Sequence, residues 1–517
     1  MIRMNLSALF TSHGAPVMYD NEYMPTYIAI VNKKDGTTTT KCLNPSRRRS
    51  SSSASVASAQ PLKKRLVGSS SFLPKFRLQT IGGNGQSRRR SSGAQSKLVD
   101  SNDSDKDLKY YLPLEIIQGI MGYLDFSSLL TLSTTSRYYH RLCQDDRLWN
   151  ARFGQDFHRP SQNPAFKQHH RDLYRNHRIL RRRWMDGHVS TQYLHGHQDS
   201  VYCMARLGSH KLISGSRDRT IKVWNLQTRQ QQQQGGTKKT EPVVTTKMTA
   251  HEGSVLCLKV SPDGKTMLSG SSDATCILWC LETFQPLLTL RGHSHGVLDL
   301  CMVGDGYYVS ASRDHTLCVW EALSSLNGTT SSKRVMHRLL GHHGPVNALD
   351  AYGDHHVVSA SGDGTLKLWN IRTGECINTF KDGNDNGDDT DELSHHQGLA
   401  CVKCDHKRGL IYSGGQNGKL RIWDISSGQC LASLSGHHGL IRTMDLSEDG
   451  TILVTGSYDR TIRVWDLTKR YCRLSFQSGH SSWIFNLLVS RSRIISAGQD
   501  KQIMMLDFGK GLSLLDE

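Results

Sequence analysis

The 517-residue sequence predicts an all-β, seven-bladed propeller, preceded by a disordered tail, a small all-α module and a linker helix. Three observations predict it. Seven times a tryptophan, or its stand-in, falls six residues after an acid, or its stand-in: Asp218–Trp224, Asp273–Trp279, Asp314–Trp320, Asp363–Trp369, Asn417–Trp423, Asp459–Trp465 and Asp500–Leu506. A histidine lies 20 to 22 residues before each of these acids, and a serine or threonine lies four before. The front of the chain carries neither mark and is rich in serine and arginine.

In chain order, residues 1–107 hold 17 basic and 7 acidic side chains, net +10. Residues 108–187 hold 13 and 7, net +6, which leaves 34 and 32, net +2, for 188–517. The near-neutral C-terminal part argues against a nucleic-acid-binding body. Ten of the 26 residues from Ser46 to Ser71 are serine, too polar a stretch to offset its ordering entropy, so 1–107 reads as a disordered tail. Arg47-Arg48-Arg49, Lys63-Lys64-Arg65 and Arg88-Arg89-Arg90 read as solvated charge or as an import or anionic-surface signal. The 13 scattered cysteines fit a reducing compartment, the nucleus or the cytoplasm. No window approaches 18 consecutive apolar residues, and the first residues lack the apolar run of a secretory signal, so no membrane association is expected.

Residues 108–157 form the helical module. Ile116, Ile117, Ile120, Met121 and Leu124 recur at helical spacing behind Pro113, which suits a first helical turn. Two further apolar runs hold Leu129, Leu130 and Leu132, then Leu142, Cys143, Leu148 and Trp149. Three short helices in so few residues need a partner to complete their burial. The stretch resembles an F-box, in its Leu112-Pro113 start, Tyr123-Leu124-Asp125, Ser136-Arg137 and closing Leu148-Trp149. The resemblance implies docking on the SKP-type adaptor of a cullin–RING ubiquitin ligase through Leu112, Pro113, Ile116, Ile117, Ile120, Leu124 and Leu132.

Residues 158–187 read as a linker helix that starts at Asn163-Pro164, carries Phe166, Leu173, Leu180 and Trp184, and ends at Asp186-Gly187. Such a rod is expected to hold the propeller at a fixed distance from the helical module.

From 188 to 517, short β-rich runs such as KLISGS and TIKVW lie between the repeat marks. Four strands per repeat and a period of about 40 residues mean a propeller. The repeats resemble those of WD-repeat proteins. Through that resemblance His197, Ser214, Asp218 and Trp224, and likewise His437, Thr455, Asp459 and Trp465, form a buried hydrogen-bond network. The chemistry agrees, because a buried carboxylate needs donors. Asn417 and Leu506 depart from the pattern. Residues 188–194 are expected to close the ring as the outer strand of the last blade.

Other motifs lead nowhere. Gly264-Lys265-Thr266 lacks the glycine a phosphate loop needs five residues earlier, where Lys259 stands. Asp382, Asn384 and Asn386 begin like a calcium loop, but its twelfth position is Leu393. Cys401 and Cys404 have no second pair to make a zinc site, and strand alternation puts them on opposite faces. No metal, cofactor or catalytic group is expected.

The two resemblances together imply a non-enzymatic substrate receptor of an SCF-type ligase, which brings a protein substrate to cullin and RING subunits. The alternative is a non-ligase WD-repeat scaffold with a vestigial F-box. Related receptors read phosphorylated segments with arginines at two places in the repeat, filled here by Arg217 and Arg313 and by Arg442. Tyr202 and Tyr458 occupy neighbouring positions and join the expected substrate site. The acidic run Asp382–Glu392 is expected on the same face, as an internal competitor.

Overall fold

The computed structural model describes residues 26–32, 36–43, 113–157, 170–226, 243–304, 306–321, 335–381, 397–477 and 479–512. The chain folds as two units, 46–155 and the pair 1–45 with 156–517.

In the first unit the helices α1 (Leu114–Tyr123), α2 (Phe126–Thr135), α3 (Arg137–Leu142) and α4 (Asp146–Phe157) follow one another closely. Four helices stand where three apolar runs were read. The third run divides between α3, which holds Leu142, and α4, which holds Leu148 and Trp149, and Ser136 caps α3 by accepting the Tyr139 N–H. Pro113 sits one position earlier than expected, as the N-cap of α1. Ile117, Met121, Leu129, Cys143, Trp149 and Phe153 are the buried core. Trp149 Nε1 donates to the Cys143 carbonyl at 2.7 Å, so the largest core side chain leaves no buried donor unpaired.

In the second unit seven antiparallel sheets form the propeller. Blade one spans 201–248, blade two 255–291, blade three 297–339, blade four 346–380, blade five 399–434 and blade six 441–477. Blade seven takes three strands from 484–507 and its fourth from much earlier, Ser190–Leu194. That strand pairs antiparallel with Ile503–Asp507, from Ser190 opposite Asp507 to Leu194 opposite Ile503. Both ends of the repeat region thus share one sheet, and the ring closes without an open edge at the seam.

The reading of 1–107 as a disordered tail needs correction at residues 26–43. Strands β1 (Thr26–Val31) and β2 (Thr38–Leu43) form a hairpin. β1 lies parallel to the outer strand of blade six, with Tyr27 opposite Leu474 and Ile30 opposite Gln477. Ala29 and Val31 are buried against Leu474, Phe476 and Phe508. The serine-rich stretch Ser46–Ser71 lies outside the described residues.

The linker helix also differs from expectation. Helix α5 runs His170–Asp186, and the start read at Asn163-Pro164, with Phe166, lies outside the described residues. Its C-terminal half is docked on the propeller. Trp184 stacks on Phe508 at 3.9 Å and donates from Nε1 to the Arg491 carbonyl at 2.9 Å. Arg183 Nη1 donates to the carbonyls of Phe508 and Lys510. Hairpin, helix and closing strand meet at two glycines. Gly36 has φ +67° and accepts the Thr191 N–H at 3.0 Å; a Cβ there would lie 2.7 Å from the Thr191 carbonyl oxygen. Gly187 has φ +72° and ends α5 against Ala29 and Thr40. Thr40 Oγ1 donates to the Asp186 carbonyl at 3.0 Å.

This junction is testable. Gly36→Val combines a left-handed backbone with a clash against main chain, each worth about 1–3 kcal/mol. We expect a thermal midpoint several degrees lower, with hydrogen exchange gained first along Tyr471–Gln477. An unchanged midpoint would mean that the hairpin adds nothing to blade six.

Candidate functional site

Most blade ends are fixed by a buried polar network. In blade one Asp218 Oδ2 accepts from His197 Nδ1 at 2.8 Å and from the Gln198 N–H at 3.0 Å. Its Oδ1 accepts from the Thr220 N–H and hydroxyl. His197 Nε2 meets Ser214 Oγ at 2.7 Å, and Trp224 Nε1 donates to the same oxygen at 2.8 Å. Blade six repeats this with His437, Thr455, Asp459 and Trp465. Blade seven keeps His480, Ser496 and Asp500, and Leu506 fills the tryptophan's place in the core. In blade five Trp423 still donates to Ser413, while His396 lies outside the described residues.

The network sets protonation. Burial opposes the charge on Asp218, Asp273, Asp314, Asp363 and Asp459, yet hydrogen bonds from histidine, threonine and backbone outweigh it and hold each carboxyl well below its usual range, at about 2 for Asp273 and Asp314. Burial lowers His251, His293 and His437 against the pull of their aspartates.

The turns so fixed present the expected site residues. The N–H of Arg217 donates to the Ser200 carbonyl, that of Arg313 to Gly296, that of Tyr458 to Leu440 and that of Gln499 to Trp483. Each residue before the network position is therefore held by its own blade's first strand. The inner strands surround a central cavity of about 280 Å³, lined among others by Tyr202, Leu256, Leu298, Asn347, Arg442 and Phe485.

These side chains are unevenly shared around the ring. Tyr202 packs on Phe485 at 4.9 Å, and Tyr458 stacks on Trp483 at 4.5 Å, with the planes 8° apart. Tyr458 also meets Phe485 edge-on at 5.9 Å. Trp483 keeps 45% of its surface exposed. Burial raises the Tyr202 hydroxyl, while Arg217 and Arg442 pull it down, so both guanidinium groups lie within its field. Arg217 Nε stands 3.8 Å from Asp199, and Arg442 Nη1 donates to the Ala400 carbonyl at 3.2 Å. Four expected residues, Arg217, Arg442, Tyr202 and Tyr458, thus converge where blades six, seven and one meet. Arg313 does not join them; it is exposed on blade three. Trp483 and Phe485 were missed by the sequence reading, although SSWIF at the start of a first strand places two aromatics beside a predicted turn. The acidic run Asp382–Glu392 lies outside the described residues.

Below the mouth, charges tie blade to blade. Asp299 accepts from the Leu349 N–H, Asp350 from Cys404 and Asp445 from Val489, each at 2.8 Å. Lys403 Nζ lies 3.9 Å from Asp350 and 3.3 Å from Asp445, and those two carboxylates raise its pKa. Cys401 and Cys404 are buried in separate apolar clusters on opposite faces of their strand. Among the described residues no group of three or more His, Cys, Asp or Glu is placed to hold a metal.

The second candidate site is the outer face of α1. Ile117 and Met121 point into the module's core, while Ile116 and Ile120 are each 50% exposed and Tyr123 is 89% exposed. Positions 116, 120 and 123 fall on one helical stripe, with Pro113 above them. Leu114 and Leu130 add exposed apolar surface. Of the residues expected to dock a partner, Pro113, Ile116 and Ile120 lie on this stripe, and Leu124 and Leu132 are half-buried. Ile117 is a correction, because at 5% exposure it builds the module's own core. Leu112 lies outside the described residues. Tyr123, quoted only as part of the family pattern, is the most exposed large apolar side chain of the module.

Residues 188–225, 242–280, 284–321, 333–370, 387–424 and 428–466 match the family described as WD domain, G-beta repeat, and residues 110–155 match the F-box-like family. The six matched repeats stop short of the blade that carries Leu506. Similar proteins include MST50-interacting protein 11 of Pyricularia oryzae, 38% identical over 40% of this chain and 62% of its own length. Autophagy-related protein 16 of Arabidopsis thaliana is 28% identical over 40% of this chain and 37% of its length. The chain therefore spans less than two thirds of these relatives. The WD40 β-propeller domain of Doa1 superposes with a TM-score of 0.51 at 22% identity, covering 62% of this chain and 97% of that one, a likeness of fold.

The network makes the propeller's stability depend on pH. Histidines whose folded pKa lies below their unfolded value of about 6.5 leave the unfolded chain binding more protons, so stability is full above that value and falls as pH drops through it. The aspartates, also lowered, act the same way below about 3.9. Thermal midpoints measured from pH 7.5 to 5.0 are expected to decline below about 6.5, and a flat profile there would contradict neutral buried histidines.

Proposed function

The chain is an F-box/WD-repeat protein, and from that premise we propose that it is the substrate-receptor subunit of an SCF-type cullin–RING ubiquitin ligase. F-box and WD-repeat modules are typically non-catalytic, and together they support an adaptor that joins one protein to another. In this reading α1 docks on the SKP-type adaptor, and through it on the cullin and RING subunits. The propeller mouth at blades six, seven and one takes a protein substrate for ubiquitination and degradation. The observation that carries the reading is the double apolar character of α1. One stripe builds the core, and a second, Ile116, Ile120 and Tyr123, stays exposed among the described residues.

Substrate recognition is assigned to Arg217 and Arg442 with Tyr202, Tyr458, Trp483 and Phe485. Guanidinium groups suit an acidic or phosphorylated segment, and an exposed indole suits an apolar side chain beside it. Arg313, on blade three, stands apart from this cluster. We place the protein in the nucleus or cytoplasm. The basic clusters before residue 107 favour this, as do the 13 cysteines scattered along the chain.

Two measurements test the two ends. Ile116→Asp with Ile120→Asp buries two carboxylates in an apolar contact, at several kcal/mol. Adaptor capture should be abolished while the propeller's thermal midpoint stays the same, and full capture would remove the ligase reading and leave the scaffold alternative. For the mouth, capture of acidic or phosphorylated peptides should weaken about tenfold or more in Trp483→Ala and in Arg217→Glu/Arg442→Glu, by the size of a typical hot spot. Arg313→Glu should stay close to wild type. Equal capture by all three would place recognition elsewhere on the ring.

A further inference from the structure

The central cavity below the mouth has two rings of side chains with different chemistry. The upper ring comes from the second residue of each blade's first strand. On blades seven, one, two and three it holds Phe485, Tyr202, Leu256 and Leu298, an apolar collar. On blades four, five and six it holds Asn347, Ala400 and Arg442. The lower ring is charged, with Lys259, Asp350, Lys403 and Asp445, and Asp299 lies between the two. Leu256 and Lys259 are three positions apart on one strand, so the lower ring sits roughly 10 Å beneath the collar.

Most of these charges are committed to the ring itself. Asp299, Asp350 and Asp445 each accept a backbone N–H from the next blade at 2.8 Å. Lys403 stands between Asp350 and Asp445. Asn347 Nδ2 donates to the Leu399 carbonyl at 2.7 Å, and Arg442 Nη1 to that of Ala400, which fixes both side chains on blade five. Lys259 differs. It is half-buried and lies within the field of Asp299, yet it makes no hydrogen bond or ion pair with any described residue.

We infer that the central cavity receives the C-terminal carboxylate of the substrate chain, with Lys259 as its partner and the collar around the last side chains. The inference rests on the reading of the mouth as the substrate site. Depth comes first: an acidic side chain on a segment crossing the collar is shorter than the distance to Lys259, so main chain must enter, about three residues of it. A segment that continued past this point would have to double back through the same collar. A cavity of about 280 Å³, at the low end for ligand pockets, suits one chain end better than two passing strands. Charge then selects which end. The aspartates already have donors, whereas Lys259 has none of its charge paired, so a carboxylate fits and an ammonium does not. The chain would leave the cavity over blades six, seven and one, where Arg217, Arg442 and Trp483 meet its preceding residues.

The test uses the immobilised full chain and three fluorescein-labelled peptide pools of random sequence. One pool has a free C-terminal carboxylate, one a C-terminal amide, and one a free N-terminal amine with the C-terminus blocked. Wild type should enrich the carboxylate pool about tenfold or more over the amide pool, the scale of a desolvated charge that loses its partner. Apolar residues should be selected at the last positions. Peptides so selected should bind Lys259→Met about tenfold more weakly and Lys259→Arg nearly as well as wild type, while their amides bind all three alike. Thermal midpoints show that the variants are folded, and the comparison of pools on wild type stands even if Lys259→Met is not. Equal capture of the carboxylate and amide pools overturns the inference. So does enrichment of the free-amine pool, or a carboxylate preference that Lys259→Met leaves intact. Capture of internal acidic or phosphorylated peptides, and of the adaptor, is read on the same samples. If those persist without a carboxylate preference, this inference fails alone and the receptor reading stands.

Discussion

A carboxylate taken out of water must be given donors, and most blades of this propeller are organised around meeting that need. The aspartate in the turn between second and third strands accepts from a histidine, from the backbone beside it and from a threonine two residues on. The histidine in turn holds a serine or threonine, which takes the indole N–H from the third strand. One buried charge thereby ties a loop, a turn and two strands. Losing any member strands the others without partners, which is why such a network specifies one geometry.

The functional surface follows from this. Because the turn is fixed by the aspartate, the residue just before it is free to vary while its backbone stays bonded to the first strand. Arginine, serine, glycine, glutamine and tyrosine all occupy that place around the ring. Selectivity is written in side chains that the fold does not need. At blades six and one the place holds Tyr458 and Arg217, beside Trp483 and Phe485 of blade seven; at blade four it is held by Gly362. The proposed substrate site is therefore set to one side of the ring.

Much of the fold was legible because the network demands fixed spacing. His to Asp and Asp to Trp distances recur within two residues over seven copies, and the closing strand before the first histidine follows from ring closure. What was missed depends on distant partners. TYIAIV is a short β-branched run bounded by turn residues, and so carried a strand signal, but its burial is created by a strand some 440 residues later. Ile116 and Ile117 are chemically alike and adjacent; only the packing of the module's core decides which one faces out. Trp483 was missed because it stacks on Tyr458, a residue of the neighbouring blade. Arg313 and Arg217 hold equivalent repeat positions, and the difference between them lies in which aromatics the adjoining blades supply.

The central claim is that one chain carries two separate protein-binding surfaces, the outer stripe of α1 and the mouth of the propeller. Hydrogen–deuterium exchange of the full chain with and without a recombinant SKP-type adaptor measures this directly. The account predicts new protection confined to α1 and the following helix, with the propeller strands unchanged. Protection at the propeller mouth, or none in α1, would contradict it.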